Sequence, residues 1–293
     1  MSDSNDRRLL DALWVTHILD VIVRGSTVKL QFILETTGND IDVSKVSTKC
    51  GLFGLYLAAS QGHTHIVQLL LEYGADVNQR TMDGYTALHA ACQRNHNKSM
   101  RLLLDSHANV DAAGPNNAHA IHFATQYGHH ELVELLIQFG AKLNVKVDDT
   151  GLTPLMIASQ LGLVEIVTLL VLSGADLDAE DVIGNTALHF AARVGNHNIA
   201  YILLAAGADA YILNMEDDNP IDLAIYHGHT NVVCILEKIF EPASEEVYTS
   251  GTKTFYRNQI IAKNRRKYAR FHALDCILEE NLSFRDRTLV EIF

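Results

Sequence analysis

Apolar residues through the middle of this 293-residue chain come in pairs of short runs, and the pairs recur. Ile66-Val67 with Leu69-Leu70-Leu71 is one longer run, and Leu132-Val133 with Leu135-Leu136-Ile137 is another. Their spacing along one face predicts amphipathic helices. Ahead of each lies a shorter helical stretch with small residues, such as Ala90-Ala91, Ala158-Ser159 and Ala191-Ala192. Glycines punctuate both: Gly62, Gly128, Gly162, Gly195 and Gly228 suit the left-handed end of a first helix, and a second glycine closes the second. The tripeptides Gly74-Ala75-Asp76, His107-Ala108-Asn109, Gly140-Ala141-Lys142, Gly174-Ala175-Asp176 and Gly207-Ala208-Asp209 start 33, 33, 34 and 33 residues apart. A fixed period of that length predicts stacked units of helix, turn, helix and hairpin, an all-α solenoid.

Each unit opens on a four-residue motif: Thr86-Ala-Leu-His89, His119-Ala-Ile-His122, Thr153-Pro-Leu-Met156, Thr186-Ala-Leu-His189 and Asn219-Pro-Ile-Asp222. A Thr or Asn side-chain oxygen caps backbone N–H groups, and Pro154 and Pro220 fall at the first helical position, where a missing N–H costs little. These motifs, set in a 33-residue unit, resemble the ankyrin repeat. The resemblance covers Lys49 to Phe240 as six units, near 49–81, 82–114, 115–147, 148–180, 181–213 and 214–240. Departures are local: the first unit reads Phe53-Gly-Leu-Tyr56, the third lacks both Thr and Pro, and the second has Asn95-His96 in place of Gly-His.

The resemblance implies protein binding by the hairpin fingertips and by the last turn of each first helix, on a concave face. Carried over, this marks Met82, Asp83, Tyr85, Gln93 and Arg94 in the second unit, and Pro115, Asn116, Gln126 and Tyr127 in the third. The fourth contributes Asp149, Thr150, Leu152, Gln160 and Leu161, and the fifth Val182, Ile183, Asn185, Arg193 and Val194. The sixth contributes Met215, Glu216, Asp218, Tyr226 and His227. Aromatic residues, Met and Arg are the types enriched at interface centres, which favours a protein-binding groove over units two to five. The competing reading has Tyr85, Tyr127, Leu161 and Val194 packing between neighbouring repeats. One extra residue within Lys146-Val-Asp-Asp-Thr150 lengthens the fourth hairpin on the expected binding face.

Both ends depart from the beat. Residues 1–48 read as a degenerate helical capping unit: an apolar run from Leu9 to Val23 holding the single Trp14, a helix from about Thr27 to Glu35, then Gly38 to Val43. Residues 241–253 read as an acidic linker, and 254–293 as a helix to about Glu280 with a tail. Ile260, Ile261, Tyr268, Phe271, Leu274, Ile277 and Leu278 lie at helical spacing and are expected to dock on the sixth unit. Lys263-Asn-Arg-Arg-Lys267 with Arg270 is the basic cluster, read either as a solvated helix face or as a nuclear-localisation or acidic-partner signal.

Composition narrows the class. At 48% hydrophobic and mean hydropathy +0.05 the chain can bury a sizeable core, and no apolar run is long enough to insert in a membrane. The polar start lacks a signal-peptide pattern, so a cytoplasmic, alternatively nuclear, location is expected. Net charge is −12, and residues 241–293 hold 9 Lys and Arg against 8 Asp and Glu, leaving 14 against 27 on residues 1–240. The acidic array argues against nucleic acid and for a protein partner with a basic surface, the plainer alternative being solubility. The four cysteines lack metal or disulfide spacing.

Several of the 15 histidines keep the period, as His89, His122 and His189 or as His63, His129 and His229, which spreads them along the stack. The family resemblance gives them backbone hydrogen bonds in neighbouring loops, and no metal or cofactor site is expected. Asn78 and Asn144 resemble asparagines hydroxylated in some ankyrin proteins. No nucleophile elbow, phosphate loop or metalloprotease motif occurs, and Asp148-Asp149 and Asp217-Asp218 fall at hairpin tips, where Asp suits a turn. The expectation is a monomeric, non-enzymatic scaffold or adaptor. The alternatives are a regulatory or inhibitory subunit of an enzyme, and a subunit that recruits substrates through the C-terminal segment.

Overall fold

The computed structural model describes residues 14–37 and 42–240, with side chains as far as Glu237. The beginning of the first apolar run, the Gly38 end of the capping unit, and the expected linker and helix after Phe240 lie outside the described residues. Helix α1 occupies 14–23 and α2 Thr27–Thr37. Six helix pairs follow, beginning with α3 (Gly54–Gln61) and α4 (Thr64–Glu72), then α5 (Ala87–Gln93) and α6 (Asn97–Asp105). Next come α7 (Ala120–Gln126) with α8 (His130–Gln138), and α9 (Pro154–Leu161) with α10 (Val164–Leu172). The last are α11 (Ala187–Val194) with α12 (His197–Ala205), and α13 (Pro220–Tyr226) with α14 (Thr230–Phe240).

The expected caps start the first helices. Thr153 Oγ1 accepts from Met156 N at 3.4 Å, and Asn219 Oδ1 accepts from Asp222 N at 3.0 Å. In return the Asp222 carboxylate accepts from Asn219 N at 3.2 Å. In α5 and α11 a histidine makes the reciprocal bond, Thr86 N and Thr186 N each donating to Nδ1 of His89 or His189 at 3.1 Å. Where the period lacks its glycine, another residue adopts the same backbone: Asn95 stands at φ 59° and His107 at φ 64°. Asn tolerates that region and His does so at a cost, since a Cβ there crowds the following carbonyl.

Helices this short are marginal alone, so stacking makes them. The first helices pack in file, each on the next, and press closer together than the second helices do. Small buried residues permit this: Ala58, Ala59, Ala90, Ala91, Ala124, Ala158, Ala191, Ala192 and Ala224. The second helices bring larger residues to the core, among them Ile66, Leu70, Met100, Leu103, Leu136, Leu170 and Leu203. Close approach on one row and wide spacing on the other bends the stack, with the first-helix row inside. At the N-terminal end α1 and α2 bury Ile18, Ile22, Leu30 and Leu34, and α2 packs on α4.

The hairpins are looser than expected, for no strand occurs among the described residues, only an isolated bridge between Ser47 and Phe53. The tips are closed instead by local backbone bonds, such as Thr81 N to Tyr85 O at 2.8 Å and Asp181 N to Asn185 O at 2.9 Å. The arms are too short for a ladder, and their remaining groups bond sideways: Asp148 N to Asn116 O, Val182 N to Thr150 O and Met215 N to Ile183 O. The extra residue of the fourth hairpin widens one turn, in which Gly151 N donates to Val147 O at 2.7 Å. Gly151 holds φ 69° there, and a side chain would meet Val182 N at 2.8 Å.

At the base of the loops a second set of bonds joins the units. Asn78 Oδ1 accepts from Asn109 N at 2.7 Å, Asp111 Oδ1 from Lys142 N at 2.9 Å, Asn144 Oδ1 from Asp176 N at 2.9 Å and Asp178 Oδ1 from Asp209 N at 2.8 Å. The polar residue at this place is thus a rung to the following unit.

Candidate protein-binding surface

Two lines of side chains run along the inner face, one from the fingertips and one from the ends of the first helices. On the fingertips Met82, Asp83, Asn116, Asp149, Ile183 and Met215 are exposed, Met82 at 80% and Met215 at 76%. On the helix ends Arg94, Gln126, Tyr127, Leu161, Val194 and Tyr226 are exposed, Tyr226 at 83%. The geometry follows from the fold: a first helix that ends in a tight turn leaves its last residues with no following turn to cover them. Val182, Thr150, Glu216, Gln160 and His227 lie on the same lines and are exposed.

The others are partly or wholly taken up by the fold. Tyr85 is half-buried, its ring 6.0 Å from the His89 ring and 5.9 Å from that of Phe123. Leu152 is half-buried against the core. Gln93 and Pro115 are half-buried, as is Arg193, whose guanidinium stands 4.7 Å over the Phe190 ring. Asn185 is a correction to the expected surface: it is 3% exposed, and its Oδ1 accepts from Asn214 Nδ2 at 3.0 Å. It ties two tips together because its carbonyl closes the turn and draws the side chain inward. Tyr127 stays exposed while stacking on His129, centroids 5.9 Å apart. Sequence reasoning names no candidates in the first unit, yet Gln61 and Cys50 are exposed in the register of Arg94 and Asp83. The 33-residue offset was the signal that could have found them.

Charge on the tips is one-sided. Residues 81–85, 114–118, 148–152, 181–185 and 214–218 hold seven Asp and Glu and no Lys or Arg. Asp83, Asp148, Asp149, Glu216 and Asp217 are exposed. Asp181 serves its own turn, accepting from Ile183 N and Asn185 N.

The histidines that keep the period are scaffold. His122 Nε2 bonds to Val145 O at 2.9 Å and His189 Nε2 to Asp218 O at 3.2 Å, both in the following loop. His63, His96 and His229 reach back to Val23 O, Ser60 O and Arg193 O. Burial pushes His89, His122 and His189 down to about 4, so these rings are neutral near pH 7. His119 is lowered by burial too, against the opposing pull of the Asp111 carboxylate. Burial also raises the Cys92 thiol, which leaves it protonated. Among the described residues no three His, Cys, Asp or Glu side chains converge as metal ligands, and no helix is long and apolar enough to cross a membrane.

Helix pairs stacked in file, buried by their neighbours and joined by loop rungs, define an α-solenoid repeat protein. A family model described as ankyrin repeats matches in three copies, over residues 22–114, 107–181 and 172–243, and the chain belongs to that family. Among solved structures it is similar to the ankyrin repeat domain of Bcl-3, a unique member of the IkappaB protein family. That likeness has a TM-score of 0.69 at 26% identity, over 75% of this chain and 97% of that one. The human ASB11 ankyrin repeat domain is similar at a TM-score of 0.65 and 27% identity, over 78% of this chain and 99% of that one. No curated protein matches the chain by sequence. Ankyrin repeats generally mediate protein–protein interaction and are typically not enzymatic.

Proposed function

We propose that the chain is a monomeric, non-enzymatic adaptor of the cytoplasm or nucleus that holds a partner protein across its fingertips and first-helix ends. One observation carries the reading: Tyr127, Leu161 and Val194 are exposed in register at the helix ends, with Ile183 and Met215 on the tips, on a face whose tips bear acidic residues and no basic ones. Side chains of this kind at a structural position would be buried, and at a merely soluble surface would be charged or small. The matching partner presents apolar side chains flanked by Lys and Arg, and the acidic tips speed its encounter at low salt.

The test uses the full chain as bait, beside a variant with Tyr127→Ala, Val194→Ala and Ile183→Asp. Proteins retained by the first and lost by the second, with matching thermal melts, support the reading. Equal retention by both overturns it. Faster association at about 50 mM than at about 300 mM salt is the expected signature of the acidic tips.

A further inference from the structure

The glutamines of this protein divide by place. Among the described residues Gln31, Gln68, Gln79 and Gln138 each donate a side-chain hydrogen bond within the chain, to Glu35, Glu72, Ser44 O and Glu134. The side chains of Gln61, Gln93, Gln126 and Gln160 bond to no group of the chain. All four stand at the ends of first helices, on the inner face, and Gln93, Gln126 and Gln160 occupy one position in three successive units. An amide side chain both donates and accepts, so it matches a peptide backbone, which offers an N–H and a C=O at nearly every residue. The next residue after each of the three is Arg94, Tyr127 or Leu161, and Val194 continues that line. A row of amides therefore runs beside a row of mostly apolar side chains, with the acidic tips across from both.

An occupant that uses both rows must keep step with the units. Packed helices lie about 8–10 Å apart, and the small buried residues of the first helices allow that close approach along the row. A helix satisfies its own backbone internally and has nothing to give the amides. A β-strand returns a side chain to the same face about every 6.6 Å and is out of step by the next unit. A polyproline-type chain turns once in about three residues, at about 3.1 Å each, so it repeats every 9.3 Å or so with its backbone groups unbonded. One side chain in three then meets Tyr127, Leu161 and Val194 in turn. The neighbouring side chain points to the tips, where exposed Asp83, Asp149 and Glu216 complement Lys or Arg.

Resting on the reading that this face holds a partner protein, we infer that the part it holds is an extended, polyproline-type segment laid along α5, α7, α9 and α11. That segment carries an apolar residue at every third position and a basic residue beside it, and its backbone is held by Gln93, Gln126 and Gln160. Fluorescence anisotropy with the full chain tests this, using a labelled peptide that repeats Leu-Lys-Pro four times over. The control is a permutation of the same residues in which no two leucines lie three apart. The repeat is expected to bind the unsubstituted chain at least tenfold more tightly than the permutation. Gln126→Ala with Gln160→Ala is expected to weaken the repeat at least fivefold at unchanged Tm, since both side chains are exposed. Equal binding of the two peptides overturns the inference whether or not the variant folds, and so does a folded variant that binds the repeat as tightly as before. Tighter binding of an alanine-based helical peptide with leucines along one side overturns it too. A captured protein that is lost with Tyr127→Ala, Val194→Ala and Ile183→Asp yet kept by the glutamine variant leaves the protein-binding function standing and removes only the extended occupant.

Discussion

The residues of this chain that look chemical and those that look inert have exchanged places. His89, His122 and His189, in the helix-start motifs, are buried, and each takes the N–H of its helix-capping residue. Tyr127, Leu161, Val194 and Met215, ordinary core types, stand in water. The difference lies in register. A residue at the helix start is enclosed by the same loop one unit after another, whereas the last residues of the first helices stand beside the turn and face water at the same place in each unit.

Acid should break the buried row first, and by the largest margin. A histidine whose folded value lies near 4 and whose unfolded value is near 6.5 binds its proton more readily unfolded. Its contribution is therefore complete above pH 6.5 and is lost as pH falls toward 4, at about 1.4 kcal/mol for each tenfold difference in proton affinity between the two states. Melts from about pH 7 to pH 4 should show a steep fall in Tm through that window, and His189→Gln should flatten it. A flat profile in the unsubstituted chain would show that the rings ionise in place.

A rung at the loop base is the next test in size. Asn144→Ala leaves the exposed Asp176 N–H to water, and should cost about 0.5–1 kcal/mol as a lower urea midpoint at unchanged slope. His107→Gly should act in the other direction: it relieves the backbone at φ 64° and gains about 0.5 kcal/mol, read in the same titration. Smallest of all, Tyr127→Ala with Val194→Ala should move stability by less than about 0.5 kcal/mol each. A larger loss would place these side chains in the scaffold and dissolve the contrast with the histidines.

The fold was legible because its period repeats the same physical problem six times, and a departure in one unit is outvoted by the others. Even the missing glycines at 95 and 107 were harmless, since the stack imposes the turn and Asn or His follows. The surface was legible only as two lines. Which members face outward depends on turns a few residues long: Ile183 and Asn185 lie two residues apart in one tip, yet the first is exposed and the second buried. Periodicity has no power over such choices, because each is made by a local hydrogen bond. The rungs escaped notice for a related reason, as Asn and Asp share the place and only their common acceptor oxygen reveals the job.

Those rungs also give the molecule a direction under tension. They begin where Asp76 N meets Ser44 Oγ and pass by way of Asn78, Asp111, Asn144 and Asp178 to Asp209. A pull along the stack therefore loads these side-chain bonds in series, from the capping unit to the fifth unit, with no change in the kind of atom that carries it: an oxygen on one loop holding a backbone N–H on the next.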